Sequence, residues 1–199
     1  MKVKFCGLTN IEDAKKAEML GADMLGFVVE PGQARQVSTK LLEEAKRSLS
    51  KPIVAVRIEP KFDELLSIAD YVQIHRILKN DEIERLASYS ARFILYVPSS
   101  KEGLDYIKNL DRLNNAKPLI DSPKKGVPTD LKLAKELLKV RPDSGLGGGI
   151  TPENVRLYLE LNPEWIDVSS GIESSLGKKD EEKMRRIIEA AKGYEAGRI

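Results

Sequence analysis

Residues 2–10 read KVKFCGLTN, an alternation of polar and apolar side chains that breaks at a glycine. Successive side chains of a strand point to opposite faces, so Val3 and Phe5 share one side and Lys4 and Cys6 the other. Asn10 precedes Ile11, and Asp13 follows three residues after the asparagine, which is a helix start signal. A strand therefore hands over to a helix across residues 7–9. Val3 and Phe5 suit a face covered by helices, which leaves Lys4 and Cys6 to point into an interior.

The same unit recurs along the chain. Short apolar runs appear at MLGFVVE, IVAVRIE, YVQIHR, RFILYV, KPLID, SGLGG and WIDVSSG. Segments with apolar residues three and four apart lie between them, the mark of amphipathic helices. Leu41, Leu42, Ala45 and Leu49 form one such stripe. Leu131, Ala134, Leu137 and Leu138 form another, and Met184, Ile187, Ile188 and Ala191 a third. Weaker helical patterns cover 62–69, 81–88 and 103–110. Ser38 starts one helix, and Thr151-Pro152-Glu153 supplies a cap, a first-turn proline and an acid for another.

Eight strand–helix units fit in 199 residues, about 25 each. Alternating strands and helices build a parallel sheet with right-handed crossovers. Eight units suggest a closed (β/α)₈ TIM barrel, here a small one, formed as a single domain over 1–199. The alternative is an open doubly wound sheet with fewer strands. Parity favours the barrel. Gln73 and His75, Asp121, and Asp167 and Ser169 share the inward face with Lys4 and Cys6, while Val72, Ile74, Ile120, Ile166 and Val168 face the helices. Polar groups converge near the C-terminal strand ends, where barrel enzymes do their chemistry.

Composition narrows the function classes. Hydrophobic residues are 41% and charged residues 32%, the balance of a globular chain rather than a disordered one. The net charge of +2, with no long block of one sign, does not indicate nucleic-acid binding. One cysteine excludes an internal disulfide, and one histidine argues against a histidine-based metal site, so no metal is expected. No apolar run approaches the ~18 residues of a membrane span, so no membrane partner is expected. Met1 runs directly into the first strand, and the expected location is the cytoplasm.

Several groups are placed to do chemistry. Cys6, at the end of the first strand, is either a small buried apolar residue or a thiolate base, the latter favoured by Lys4 and a following helix N-terminus. Asp121 ends the sixth strand in PLIDSP and is either a turn residue or an acid facing the thiol across the barrel. GLGGGIT and DVSSGIE follow strands seven and eight, where barrels often hold phosphate on backbone amides. Arg35, in the Pro/Gly-rich EPGQARQVS loop, suits a carboxylate or phosphate. His75 is a site group or a satisfied core histidine.

Taken together, KFCGLTNIEDA, GADMLGFVVEP, YVQIH, PLIDS, GGGITPENV and IDVSSGIE with GKKD resemble the phosphoribosylanthranilate isomerase family of tryptophan biosynthesis, in that family's order. The resemblance implies an Amadori rearrangement without a cofactor. N-(5-phosphoribosyl)anthranilate would become 1-(2-carboxyphenylamino)-1-deoxyribulose 5-phosphate. It implies Asp121 as general acid at the furanose oxygen and Cys6 as general base at C2. It further implies Arg35 on the anthranilate and Gly148, Gly149, Ser170 and Gly171 on the phosphate, with His75 as a further substrate-side candidate. The only partner expected is a small phosphorylated substrate, and the chain is expected to be a monomer or homodimer. Departures from the pattern are a shortened DSPKKGVPTD loop, Arg76 in place of a glycine, Arg57 in place of an aromatic residue, and GGG in place of SGG. The rival readings are another phosphate-binding barrel, such as a sugar-phosphate epimerase or isomerase, and a non-catalytic binding barrel. A last expectation concerns the floor: Lys4 and Asp167, both inward on strands that meet on closure, must pair.

Overall fold

The computed structural model describes residues 1–196. Eight parallel strands close into a barrel: β1 (Lys2–Phe5), β2 (Met24–Val28), β3 (Ile53–Arg57), β4 (Tyr71–Ile74), β5 (Phe93–Pro98), β6 (Ala116–Asp121), β7 (Gly145–Leu146) and β8 (Trp165–Val168). Each pairs with its neighbours in sequence, and β1 pairs with β8 to shut the ring. Among the described residues, seven helices alternate with the strands: α1 (Ile11–Leu20), α2 (Thr39–Ser48), α3 (Asn80–Ala87), α4 (Lys101–Asn109), α5 (Leu131–Val140), α6 (Val155–Leu159) and α7 (Glu181–Ala196). The closed barrel excludes the open doubly wound alternative. Among the described residues, no helix is long and apolar enough to cross a membrane.

Alternation along the strands divides the core in two. The outer core joins Val3, Phe5, Val72, Ile74, Ile120 and Ile166 to the buried helix stripes. The inner cluster holds Cys6, Val54, Val56, Ile94, Leu119 and Trp165. Trp165 plugs the N-terminal end of this interior. A Cβ on Gly145 would fall 2.1 Å from its indole, so the neighbouring strand carries a glycine there. Helix starts follow their caps: Asn10 accepts the Asp13 amide at 2.7 Å, and Asp130 accepts those of Lys132 and Leu133.

Three elements differ from the sequence expectation. The pattern at 62–69 gives one 3₁₀ turn, Asp63–Leu65, rather than a helix. Phe62 and Leu65 bury against the core through this single turn. Helix α6 starts at Val155, later than Thr151-Pro152-Glu153 suggests, because Asn154 Oδ1 takes the Thr151 amide at 2.8 Å and holds a turn ahead of it. After β8 the chain makes a 3₁₀ turn (Ser170–Ile172) and then an antiparallel hairpin of β9 (Glu173–Ser175) and β10 (Lys178–Lys179), which strand periodicity does not reveal.

Candidate active site

Strand register sets the site. Lys4 stands opposite Asp167 across β1 and β8, and its Nζ donates to Asp167 Oδ1 at 2.9 Å. The Lys4 side chain is fully buried, so the paired floor expected from the sequence is present. Burial works against the lysine's charge, but Asp167 and then Cys6 outweigh it and hold the ammonium above its ordinary value.

Cys6 follows directly on β1, and its amide donates to the Val168 carbonyl at 2.9 Å. A Cβ on Gly26 of β2 would lie 2.9 Å from Cys6 Sγ and 3.2 Å from Lys4 Nζ, so the glycine leaves the space in which thiol and ammonium meet. The thiolate reading of Cys6 calls for a shift toward the anion, and the thiol shifts the other way. Burial pushes it up and prevails, although Lys4, and more distantly Lys179, pull it down. The reason is desolvation, which sequence parity cannot measure.

Asp121 ends β6. Burial raises its carboxyl to about 7, and Asp167 adds repulsion, against the opposing Ser122 amide, which donates to Oδ1 at 2.6 Å. Gly148 has φ +89°, and a Cβ there would lie 2.5 Å from Asp121 Oδ1. This glycine therefore both turns the chain and clears space for the acid. His75 sits beside the pair, with Nε2 3.9 Å from Asp121 Oδ2 and Nδ1 3.2 Å from Gln73 Nε2. Burial lowers the imidazole to about 4. A neutral ring accepting from Gln73 at Nδ1 carries its proton on Nε2, the side toward Asp121. The Tyr96 ring packs at 4.7 Å, and its hydroxyl is raised to about 12 by the same desolvation.

Arg35 reaches the mouth from the loop after β2. Its Nε and Nη2 donate to Glu173 Oε1 and Oε2 at 2.6 and 2.7 Å. Its stem crosses Gly7, where a Cβ would be 2.6 Å from Arg35 Cδ and 2.8 Å from Ser169 Oγ. Glu173 is also held by Lys179 Nζ at 3.2 Å and by the Gly177 amide at 3.3 Å. Lys179 gives its other bond to the Ser169 carbonyl at 3.0 Å. Sequence reasoning did not single out Glu173 or Lys179, although both lie in quoted motifs. Their spacing gives no sign that a hairpin folds them back onto Arg35.

The loops after β7 and β8 meet where phosphate is expected. Among the described residues, the amides of Gly148 and Gly149 donate to no protein acceptor. Ser170 and Gly171 open a 3₁₀ turn, whose first amides have no partner within the turn. A Cβ on Gly171 would fall 1.9 Å from the Ile150 carbonyl oxygen, which is how closely the two loops approach. Thr129 ties the shortened loop after β6 to this region, its Oγ1 donating to the Gly147 carbonyl at 2.7 Å and its amide to Gly148 at 3.1 Å.

Two of the sequence departures, Arg57 at the end of β3 and Arg76 just after β4, are held by acidic neighbours. Arg76 makes a two-point bond to Glu82 at 2.7 and 2.9 Å and thereby pins the start of α3. Arg57 bonds Glu64 of the 3₁₀ turn. A cleft of about 680 Å³ also opens at the N-terminal end of the barrel, lined in part by Tyr71, Arg92, Lys117 and Arg141. Arg141 there is already held by Asp143, and the thiol, the raised carboxyl and the glycine loops all lie at the other end.

A family model described as N-(5'phosphoribosyl)anthranilate (PRA) isomerase matches residues 3–190. An N-(5'-phosphoribosyl)anthranilate isomerase of Sulfolobus acidocaldarius is 40% identical over 196 residues, covering 98% of each chain. The crystal structure of phosphoribosyl anthranilate isomerase from Thermus thermophilus superposes with a TM-score of 0.83 at 30% identity, covering 97% of this chain and 99% of that one. A phosphoribosyl anthranilate isomerase in complex with reduced 1-(o-carboxyphenylamino)-1-deoxyribulose 5-phosphate superposes at 0.81 with 28% identity, again covering 97% and 99%.

Proposed function

This chain belongs to the N-(5'-phosphoribosyl)anthranilate isomerase family, and from that premise we propose how its own residues divide the work of the rearrangement. The protein is an isomerase of tryptophan biosynthesis that converts N-(5-phosphoribosyl)anthranilate to 1-(2-carboxyphenylamino)-1-deoxyribulose 5-phosphate. Asp121 gives its proton to the furanose ring oxygen while the lone pair of the anthranilate nitrogen pushes the C1–O bond open, leaving a protonated Schiff base. Cys6 then takes the proton from C2; the electron pair of that bond forms C1=C2 while the C1=N π pair moves onto the nitrogen. The resulting enolamine tautomerises to the keto product. Every proton removed is returned, so the reaction has no net redox change and needs no cofactor.

The observation that carries this reading is a carboxyl raised to about 7 at the same barrel mouth as a thiol that faces a buried ammonium. An aspartic acid that keeps its proton near neutrality is a competent acid. A thiol raised by burial is rarely ionised, but as an anion it is a stronger base, and Lys4 stabilises that anion when it forms.

The unpaired amides of Gly148 and Gly149, with those of Ser170 and Gly171, bind the 5'-phosphate. Arg35 takes the anthranilate carboxylate. His75 stays neutral and hydrogen-bonds the substrate or the ionised Asp121. The ligand is one small phosphorylated molecule, taken by a monomer or homodimer in the cytoplasm. Mixing the protein with freshly made N-(5-phosphoribosyl)anthranilate and following loss of its fluorescence tests the reading. Turnover without added metal or cofactor is the expected result, and no turnover beyond the spontaneous rate would reject it.

A further inference from the structure

Glu173 touches neither Cys6 nor Asp121, yet its carboxylate gathers four bonds in the post-β8 hairpin: two from Arg35, one from Lys179 and one from the Gly177 amide. We propose that Glu173 is a positioning residue that fixes one edge of the Arg35 guanidinium so that the other edge is aimed at the substrate's carboxylate. The inference rests on the reading of Arg35 as the anthranilate contact.

The geometry separates positioning from mere occupation. Arg35 has five N–H donors in a rigid plane. Glu173 uses Nε–H and one Nη2–H, which leaves the Nη1/Nη2 edge intact for a second two-point bond. A carboxylate that only filled the substrate's place would have to leave when substrate arrived. Glu173 is not free to leave, because Lys179, whose side chain is fully buried, has it as an ion-pair partner at 3.2 Å. Moving it would strand a buried cation. Gly7 completes the device, since only a residue without a side chain lets the Arg35 stem lie across the turn after Cys6. The hairpin thus delivers one carboxylate to two cations, and the arginine meets its ligand already oriented.

The test measures inhibition constants of the reduced product analogue and of the same compound lacking the ring carboxylate. The proteins are the wild type, Glu173→Gln, Arg35→Ala and the double variant. Glu173→Gln should weaken the carboxylated compound about tenfold, the scale of one charge-assisted interaction. It should leave the carboxylate-free compound within about twofold and add nothing to Arg35→Ala. Should Glu173→Gln fail to fold, Glu173→Asp keeps the charge near Lys179 but withdraws it from Arg35, and the same selective loss is expected. Equal losses on both compounds, no loss, or additivity with Arg35→Ala would overturn the proposal. If Arg35→Ala by itself cost nothing selective, the Arg35 reading would be the part that fails.

Discussion

At the N-terminal end of the barrel Lys2 meets Glu164 at 2.7 Å, and Arg141 spans Asp143 and Asp111, with most of these groups open to water. In the interior just below the opposite end, Lys4 meets Asp167 at 2.9 Å with the lysine wholly enclosed. The bond lengths are nearly the same, but the surroundings differ. Charges in water are screened and lose little by being there, so such pairs contribute little. Charges out of water are costly alone and act strongly on their neighbours. The Lys4–Asp167 pair is felt by Cys6, His75 and Asp121 alike. One end of the barrel uses ion pairs as ordinary surface. The other encloses one, and its two charges act in opposite senses, beneath the larger effect of burial, on the groups of the mouth.

The comparison breaks most visibly at the proposed acid and base. Cys6→Ser keeps the shape but not the acidity, and Asp121→Asn keeps the size but not the transferable proton. Each should lower kcat by roughly 10²–10⁴-fold, the usual worth of a positioned acid or base. KM should move much less, since neither group is assigned to phosphate or carboxylate. Steady-state kinetics on protein checked by circular dichroism reads this directly. Near wild-type kcat in either variant would remove that residue from its role and bring His75 forward.

Next comes the pair beneath them. Lys4→Met leaves Asp167 buried and unpaired, and the expected cost is about 3–5 kcal/mol in urea unfolding. A loss below about 1 kcal/mol would mean that the interior is wetter than its packing implies. Smallest is the control at the other end. Lys2→Met should change stability by no more than about 1 kcal/mol, as surface pairs do, with kcat unaltered. A Lys2 effect equal to that of Lys4 would erase the distinction between the two ends.

Much of this was legible in the sequence. Period-two runs alternating with period-3.6 stripes gave the barrel, and strand parity alone put Lys4, Cys6, His75, Asp121 and Asp167 on the inner face. What parity lacks is depth. It told which way Cys6 points but not that desolvation outweighs Lys4, so parity could not choose between the buried thiol and the thiolate. Local pattern also lacks long-range pairing. Glu173 and Arg35 stand 138 residues apart, and a hairpin whose strands are three and two residues long brings them together. Gly148 was legible within a turn cluster, whereas the duty it shares with Gly26 and Gly145 inside strands, making room for a neighbour's side chain, appears only once those neighbours are in place.

The central claim is that the mouth holds its acid protonated and its base as a buried thiol, so the pH dependence of kcat/KM tests it most directly. The proposed roles require Asp121 protonated and Cys6 ionised at once. With the carboxyl at about 7 and the thiol above its ordinary ~8.5, the productive form is a minor one whose share is level between the two values. The account expects a bell. Its acid limb falls below about pH 7, as the thiolate becomes scarcer while Asp121 stays protonated. Its alkaline limb lies above the usual thiol range, where Asp121 has lost its proton. These limbs belong to the coupled pair rather than to either residue alone. A profile that stays level down to about pH 4, the range of an ordinary carboxylate, would contradict the account.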